Sequence, residues 1–307
     1  MESCACITKG LAGKELTDMK TLREAGAAGF TDDGIPILDE ALVKAAMEQA
    51  KELDVPLSFH EEDPAYIENN GINHGKASAY YQIGGSDRMA EISLVRRDLE
   101  LALSTGAAFD VQHISAKESV ALVREAKKRA KEMGMDNIHA EATPHHFSLT
   151  EEAAIQYGTL AKMNPPLREE ADRMAVIEGL ADGTIDLIAT DHAPHSAEEK
   201  AKPLTEAPSG IIGLETAFSL AITNLVRPGY LDLPTLFERM SLAPAKLYHL
   251  PAGQIKEDMP ADLIVFDDAA EVVYEKFVSK SSNSPFTGQK LYGRIEMTIC
   301  EGKEIQK

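Results

Sequence analysis

Short runs of β-forming residues alternate with longer amphipathic stretches up to about residue 195. Most of these short runs are apolar at consecutive positions, as in strands that a sheet buries on both faces. Because a helical stretch separates most of the runs, the pattern predicts a parallel sheet with crossover helices. The strand candidates are Cys4–Lys9, Ala27–Phe30, Val55–His60, Phe109–Ser115, Ile138–Thr143 and Ile185–Thr190.

The stretch before the fourth strand candidate shows the helical pattern clearly. Either Ser86 or Asp87 is suited to cap its N-terminus. The apolar positions at helical spacing are Ile92, Val95, Leu99 and Leu103. The charged positions predicted to face solvent are Glu91, Arg96, Arg97 and Glu100.

Several strand candidates end in His or Asp, which is typical of the rim of a (β/α) barrel, where strand ends carry the reactive groups. We therefore predict an α/β fold with a TIM-type (β/α) barrel of the metal-dependent hydrolase kind over residues 1–250. A closed barrel has eight strands. With about six candidates, the barrel is expected to be incomplete at its N-terminus, without its leading strands.

The residue pattern changes from helical to β-type after two last helical stretches, Thr235–Ser241 and Pro244–Tyr248. Residues 251–307 are predicted to form a small β domain, a partial sandwich. Its strand candidates are Leu263–Phe266, Val272–Tyr274 and Arg294–Cys300. Residues 196–209 are rich in Glu, Lys and Pro and are predicted to form a mobile loop over the barrel rim.

Composition narrows the class of partner. The 307 residues carry 50 acidic and 31 basic side chains, a formal net charge of -19, which argues against binding nucleic acid or an anionic membrane. We expect a small-molecule substrate. Three cysteines cannot pair fully, and no apolar run reaches the roughly 18 residues that span a bilayer. Both observations predict a cytoplasmic protein with reduced thiols.

The chemistry-bearing candidates share one position in the predicted fold. Asp33, His60, His113 and Asp191 each lie at or just after the end of a different strand candidate. In a barrel these ends converge, and imidazole with carboxylate is the ligand mixture of zinc or a similar divalent ion. Asp32 and Asp33 are equally compatible with a turn before Gly34.

The segment after His60 and the segment that begins at Asp191 each allow a structural role as well as a functional one. The acidic residues after His60 are predicted to face solvent; they are Glu61, Glu62 and Asp63. Asp191 opens Asp191-His192-Ala193-Pro194-His195. A carboxylate at a metal site can accept a proton from the attacking water and deliver it to a leaving nitrogen. Amide hydrolysis requires both of these proton transfers, so Asp191 is the predicted catalytic residue.

These motifs together resemble the class I bacterial dihydroorotases over essentially the whole chain. The matching pieces are Phe30-Thr31-Asp32-Asp33-Gly34, the His60 strand end, Gln112-His113-Ile114-Ser115, Asn164-Pro165-Pro166-Leu167-Arg168, Thr190-Asp191-His192-Ala193-Pro194-His195 and Gly210-Ile211-Ile212-Gly213-Leu214-Glu215-Thr216. Hydantoinases and allantoinases share the superfamily pattern but carry a carboxylated lysine where this chain has Asp33. The carboxylate therefore favours a dihydroorotase, which opens the cyclic amide of dihydroorotate to N-carbamoyl-aspartate in pyrimidine biosynthesis.

The resemblance implies a metal centre. Asp33 would bridge two Zn²⁺ ions, His60 and His113 would hold one of them, and Asp191 would bind the other as general base and acid. The family begins with a strand that ends in His-x-His, and this sequence contains no His-x-His. We therefore expect one ion here where the family has two, and a lower stability than that of a longer chain.

The resemblance also implies substrate contacts and partners. Asn164, His195, Ser209 and Gly210 match positions that contact dihydroorotate in the family. His145 and His146 would support the site or the fold, because their segment is not a metal position. The expected partners are a second copy of the chain and aspartate transcarbamoylase. Two alternatives stay open: an impaired scaffold for aspartate transcarbamoylase, and another cyclic amidohydrolase of the hydantoinase or allantoinase type.

Overall fold

The computed structural model describes residues 2–305, which contain a six-stranded parallel sheet. Its strands pair in chain order, each with the next, as successive βαβ units require. They are β1 Cys4–Ala5, β2 Gly29–Thr31, β3 Leu57–Phe59, β4 Phe109–Val111, β5 Ile138–Ala142 and β6 Leu187–Ile188. Each overlaps its predicted run, so the predicted barrel-type architecture is confirmed. Within residues 2–305, β1 and β6 are the sheet edges and are not paired with each other.

Helices connect the strands and cover the sheet. They are α1 Met19–Glu24, α2 Glu40–Leu53, α3 Lys76–Tyr81, α4 Met89–Thr105, α5 Lys117–Glu132, α6 Pro144–Ser148, α7 Glu152–Tyr157, α8 Glu170–Asp182, α9 Ala197–Lys200, α10 Ala217–Ala221, α11 Leu233–Phe237 and α12 Ala243–Leu247. The π-helical segments Ile222–Val226 and Glu238–Leu242 follow α10 and α11. None of the helices in the described part of the chain is long and apolar enough to cross a membrane.

Helix α4 confirms the predicted apolar face, but two residues of its predicted polar face depart from the prediction: Glu91, and Arg97, whose side chain is only 18% exposed. Asp87 accepts a hydrogen bond from the backbone N–H of Met89 at the start of the helix. The predicted exposure of Glu91 is wrong, because its side chain is buried. Its carboxylate accepts hydrogen bonds from the backbone N–H groups of Ser115 and Ala116, just before α5. A helix N-terminus attracts a carboxylate because its first N–H groups lack helical partners.

A second, antiparallel sheet follows the last helices. Its strands are β7 Leu263–Val273, β8 Lys290–Cys300 and β9 Lys303–Ile305. The first two predicted strands are one strand, β7, in which two irregularities of register interrupt the apolar pattern. Gly293 of β8 lies against the segment after α10, because a Cβ there would come within 2.7 Å of Ile222. The domain boundary at residue 250 stays a prediction.

Asp32 ties the segment after β1 to the turn after β2. Its carboxylate accepts hydrogen bonds from the backbone N–H groups of Ile7 (2.8 Å) and Thr8 (3.0 Å) and from the Thr8 hydroxyl. Asp32 is buried, whereas the side chain of Asp33 is 52% exposed. The two neighbouring carboxylates therefore have separate roles, and Asp32 is the structural one.

We expect Asp32→Ala to lower the free energy of unfolding by about 3 kcal/mol, because it leaves several buried donors without an acceptor. Asp136→Ala, at an exposed aspartate just before β5, is the matched control and should change this free energy by less than about 1 kcal/mol. Urea denaturation of the metal-free protein measures both values. Equal losses for the two variants would contradict the assignment.

Candidate active site

Two histidines and an aspartate meet where three neighbouring strands end. Asp33 follows β2, His60 follows β3 and His113 follows β4. Both histidines are buried. The His60 Nδ1 and His113 Nε2 atoms are 2.9 Å apart, and each lies 3.8 Å from Oδ1 of Asp33. The structure thus brings together three of the four predicted metal ligands, whose ligand atoms all lie within 4.8 Å of one another.

This group fits a divalent metal ion. Ligand atoms about 2.0–2.2 Å from a tetrahedral zinc ion lie roughly 3.3–3.6 Å apart, and the observed separations of 2.9 and 3.8 Å bracket that range. The second ring nitrogen of His60, Nε2, lies 3.1 Å from Oε2 of Glu62. Metal-binding histidines use such a carboxylate to fix the tautomer and the ring orientation.

The predicted solvent exposure of Glu61 and Glu62 is wrong, because both are buried; Asp63 is half-buried. Glu62 faces inward because it holds the His60 ring. Glu61 points elsewhere, toward Asp98 of α4, and burial together with the Asp98 charge raises the pKa of Glu61 well above its usual value. A carboxyl that keeps its proton can be buried beside a carboxylate without strong repulsion.

Asp191 follows β6 and lies near the group. It lies outside the three-residue group, yet the charges of His113, Asp33 and His60 all act on it. Burial raises the pKa of its carboxyl above the usual value, and His113 opposes this shift. Asp191 and His113 both have positive φ, 46° and 35°. Such conformations are uncommon for residues other than glycine and cluster at functional sites.

The pKa of His113 depends on two opposed effects. Burial lowers it, but contact with Asp33 and the charges of Asp191 and Asp33 outweigh burial and raise the pKa to about 9. Without a metal ion, the imidazolium therefore balances the surrounding carboxylates. A cation bound between these side chains would replace that proton, because only neutral imidazole is a ligand.

The four predicted substrate contacts lie near one another. The ring Nε2 of His195 is 2.8 Å from the backbone oxygen of Ser209. Gly210 has a φ of 111°, and a Cβ there would approach Ala193 to 2.5 Å. A Cβ on Gly71 would meet Ser209 Oγ at 2.3 Å and Asn164 Oδ1 at 3.0 Å. Both side chains therefore border Gly71. The Asn164 Oδ1 atom is buried and accepts no hydrogen bond from the described residues.

Two buried lysines hold the segment that carries Ser209 and Gly210. The Lys162 ammonium donates to the backbone oxygens of Leu204 (2.8 Å) and Ala207 (2.6 Å). The Lys200 ammonium donates to those of Pro208 (2.9 Å) and Gly210 (3.0 Å). Burial lowers the pKa of Lys200 to about 8, with the Lys162 charge adding to the effect. The loop predicted to be mobile is thus anchored at three of its own carbonyl groups and at that of Gly210 directly after it, and its mobility stays a prediction.

Comparison with known proteins shows the family to which the chain belongs. The amidohydrolase family model matches residues 5–305. The dihydroorotase of Clostridioides difficile is 54% identical over 301 residues, which cover 98% of this chain and 70% of that protein. The dihydroorotase of Lactococcus lactis is 47% identical over 306 residues, with coverages of 99% and 71%.

Solved structures show the same fold at lower identity. L-hydantoinase from Arthrobacter aurescens superposes with a TM-score of 0.82 at 23% identity, covering 98% of this chain and 69% of that one. Dihydropyrimidinase from Brevibacillus agri gives a TM-score of 0.79 at 20% identity, with coverages of 94% and 65%. At these identities the likeness concerns the fold alone. The family match and the identity to the dihydroorotases together show that this chain belongs to the amidohydrolase family and, within it, to the dihydroorotases.

Proposed function

We propose that this chain is a metal-dependent cyclic amide hydrolase, a dihydroorotase, that interconverts dihydroorotate and N-carbamoyl-aspartate in pyrimidine biosynthesis. The group of Asp33, His60 and His113 with Asp191 beside it carries the proposal. The relatives named dihydroorotase support the choice of substrate. Asp33 supports it too, because the resemblance places a carboxylated lysine at this position in hydantoinases.

We assign the metal as Zn²⁺, because two imidazoles and a carboxylate are the ligands of catalytic zinc. His60, His113 and Asp33 would hold one ion, and Asp191 would supply a ligand toward a second position. When bound, such an ion polarises the amide carbonyl and lowers the pKa of water. Glu62 serves this site by orienting the His60 ring.

Asp191 is the residue that moves the proton. Its side chain is 25% exposed, so substrate and water can reach a carboxylate whose surroundings are otherwise largely buried. The carboxylate accepts the proton of the attacking water and returns it to the ring nitrogen as the amide bond breaks. A pKa raised by burial makes the carboxylate a stronger base than an exposed aspartate.

The segment around Asn164, His195, Ser209 and Gly210 binds the substrate. Asn164 Oδ1 is a buried acceptor without a partner in the described chain, and it suits an N–H of the dihydroorotate ring. The Gly210 N–H and carbonyl are already bonded to Lys162 and to Lys200, respectively. Gly210 therefore shapes the pocket through its backbone conformation. Partnership with a second copy or with aspartate transcarbamoylase, and a cytoplasmic location, stay predictions.

Asp191→Asn should lower kcat for dihydroorotate hydrolysis at least about 100-fold, because asparagine cannot accept the proton. Asp182→Asn, on the exposed C-terminal end of α8, is the matched control and should retain full activity. Ring opening of dihydroorotate with added Zn²⁺ measures both rates. Full activity of Asp191→Asn, or no turnover by the metal-loaded wild-type chain, would contradict the proposal.

Lys200→Met should raise KM for dihydroorotate about tenfold, because the carbonyls of Pro208 and Gly210 lose a charged donor that holds the substrate segment. We expect kcat to change by less than about twofold, since Lys200 contacts none of the proton-transfer groups. Lys202→Met is the matched control, because Lys202 is exposed on the same loop. An unchanged KM in Lys200→Met would show that the anchor does not shape the pocket.

A further inference from the structure

The two adjacent histidines at the end of β5 differ sharply in their hydrogen bonding. His146 has a partner at each ring nitrogen: the Thr143 hydroxyl at 2.8 Å and the Pro165 carbonyl at 3.0 Å. His145 is only 1% exposed, and within residues 2–305 neither of its ring nitrogens has a hydrogen-bond partner. Buried polar side chains are nearly always paired, so this exception calls for a functional explanation.

The ring of His145 is aimed at the carboxylate of Asp191. His145 Nε2 lies 4.0 Å from Asp191 Oδ2. The two residues come from neighbouring strands, since β5 pairs with β6 through Ala142 and Ile188. They therefore meet at the same rim as the metal-binding group. The remaining separation exceeds a hydrogen bond by about 1 Å, a distance that a turn of the Asp191 side chain can close.

We propose that His145 is a positioning residue for Asp191. Its Nε2–H donates to Oδ2 of Asp191 and holds the carboxylate so that Oδ1 faces the reacting water and the ring nitrogen. A neutral imidazole carries a single N–H, on Nδ1 or on Nε2. A carboxylate acceptor beside Nε2 favours the tautomer with the proton on Nε2. This inference rests on the proposed function only for the catalytic role of Asp191.

The surroundings explain why the interaction is specific to His145. His146 packs against it with ring centroids 4.5 Å apart, and the bonds of His146 to Thr143 and Pro165 fix that ring in place. His146 thus supports one side of the His145 ring. Because the rings of His145 and His146 are both buried, water competes weakly for the His145 N–H. A hydrogen bond from this N–H to a carboxylate is strong in such surroundings.

Three substitutions at position 145 test the role in turnover. His145→Gln places an amide N–H near the position of Nε2, His145→Asn reaches only the position of Nδ1, and His145→Phe keeps a ring without donors. We expect His145→Phe and His145→Asn to lose at least about tenfold in kcat with KM within twofold. His145→Gln should recover most of the loss. Equal losses in all three variants, or none in His145→Phe, would overturn the proposal.

Metal binding separates positioning from ligation. Titration of Zn²⁺ into wild type and His145→Phe should give affinities within about threefold of each other. A loss of one bound ion in His145→Phe would make His145 a ligand and overturn the positioning role.

A double-mutant cycle tests the contact without any turnover. Urea denaturation of the metal-free wild type, His145→Phe, Asp191→Ala and the double variant should show coupling of at least about threefold in the unfolding equilibrium constant. Additive effects would overturn the proposal even if the chain is an active dihydroorotase. If the two substitutions are coupled but the wild-type chain does not hydrolyse dihydroorotate, the contact between His145 and Asp191 stands and the proposed function is rejected. If His145→Phe does not fold, His145→Asn, which cannot reach the position of Nε2, replaces it in the cycle.

Discussion

The approach of His60 Nδ1 to His113 Nε2, 2.9 Å apart and buried, is the constraint on which the rest of the site depends. Two imidazole nitrogens at this distance need a proton or a cation between them, and Asp33 supplies the balancing charge 3.8 Å away from both. Parallel strands explain how side chains 53 positions apart in the sequence come so close. Their register brings the ends of β3 and β4 side by side, and the candidate metal centre follows from that register.

Supporting residues make this arrangement specific. Glu62 orients the outer nitrogen of His60, and Asp32 fixes the turn from which Asp33 projects. Near the residues proposed to bind substrate, the buried ammonium groups of Lys162 and Lys200 hold the segment that ends at Gly210. In each case a buried charged group has a defined hydrogen-bond partner, which is the condition under which such burial is tolerated.

Sequence alone predicted the parallel sheet and its strand ends, because buried runs and terminal His or Asp residues are local signals. Local signals could not distinguish Asp32 from Asp33, since both occupy one turn and only the contacts of Ile7 and Thr8 separate them. The exposure predicted for Glu62 was wrong, because its inward direction depends on where His60 lies in three dimensions, which the local sequence does not show. Lys162 gave no signal, because a lysine is ordinarily exposed and its carbonyl partners lie about 40 residues away.

Displacement of a proton from His113 by added Zn²⁺ tests the proposed metal centre most directly. The pKa of His113 is raised to about 9 in the metal-free chain, so His113 is protonated at pH 7 and must lose that proton to become a ligand. Zn²⁺ titration in weakly buffered solution should release about one proton from His113, with apparent affinity rising about tenfold per pH unit below pH 9. His113→Gln should lose both the tight binding and this pH dependence. Tight binding with no proton release, or unchanged in His113→Gln, would contradict the account.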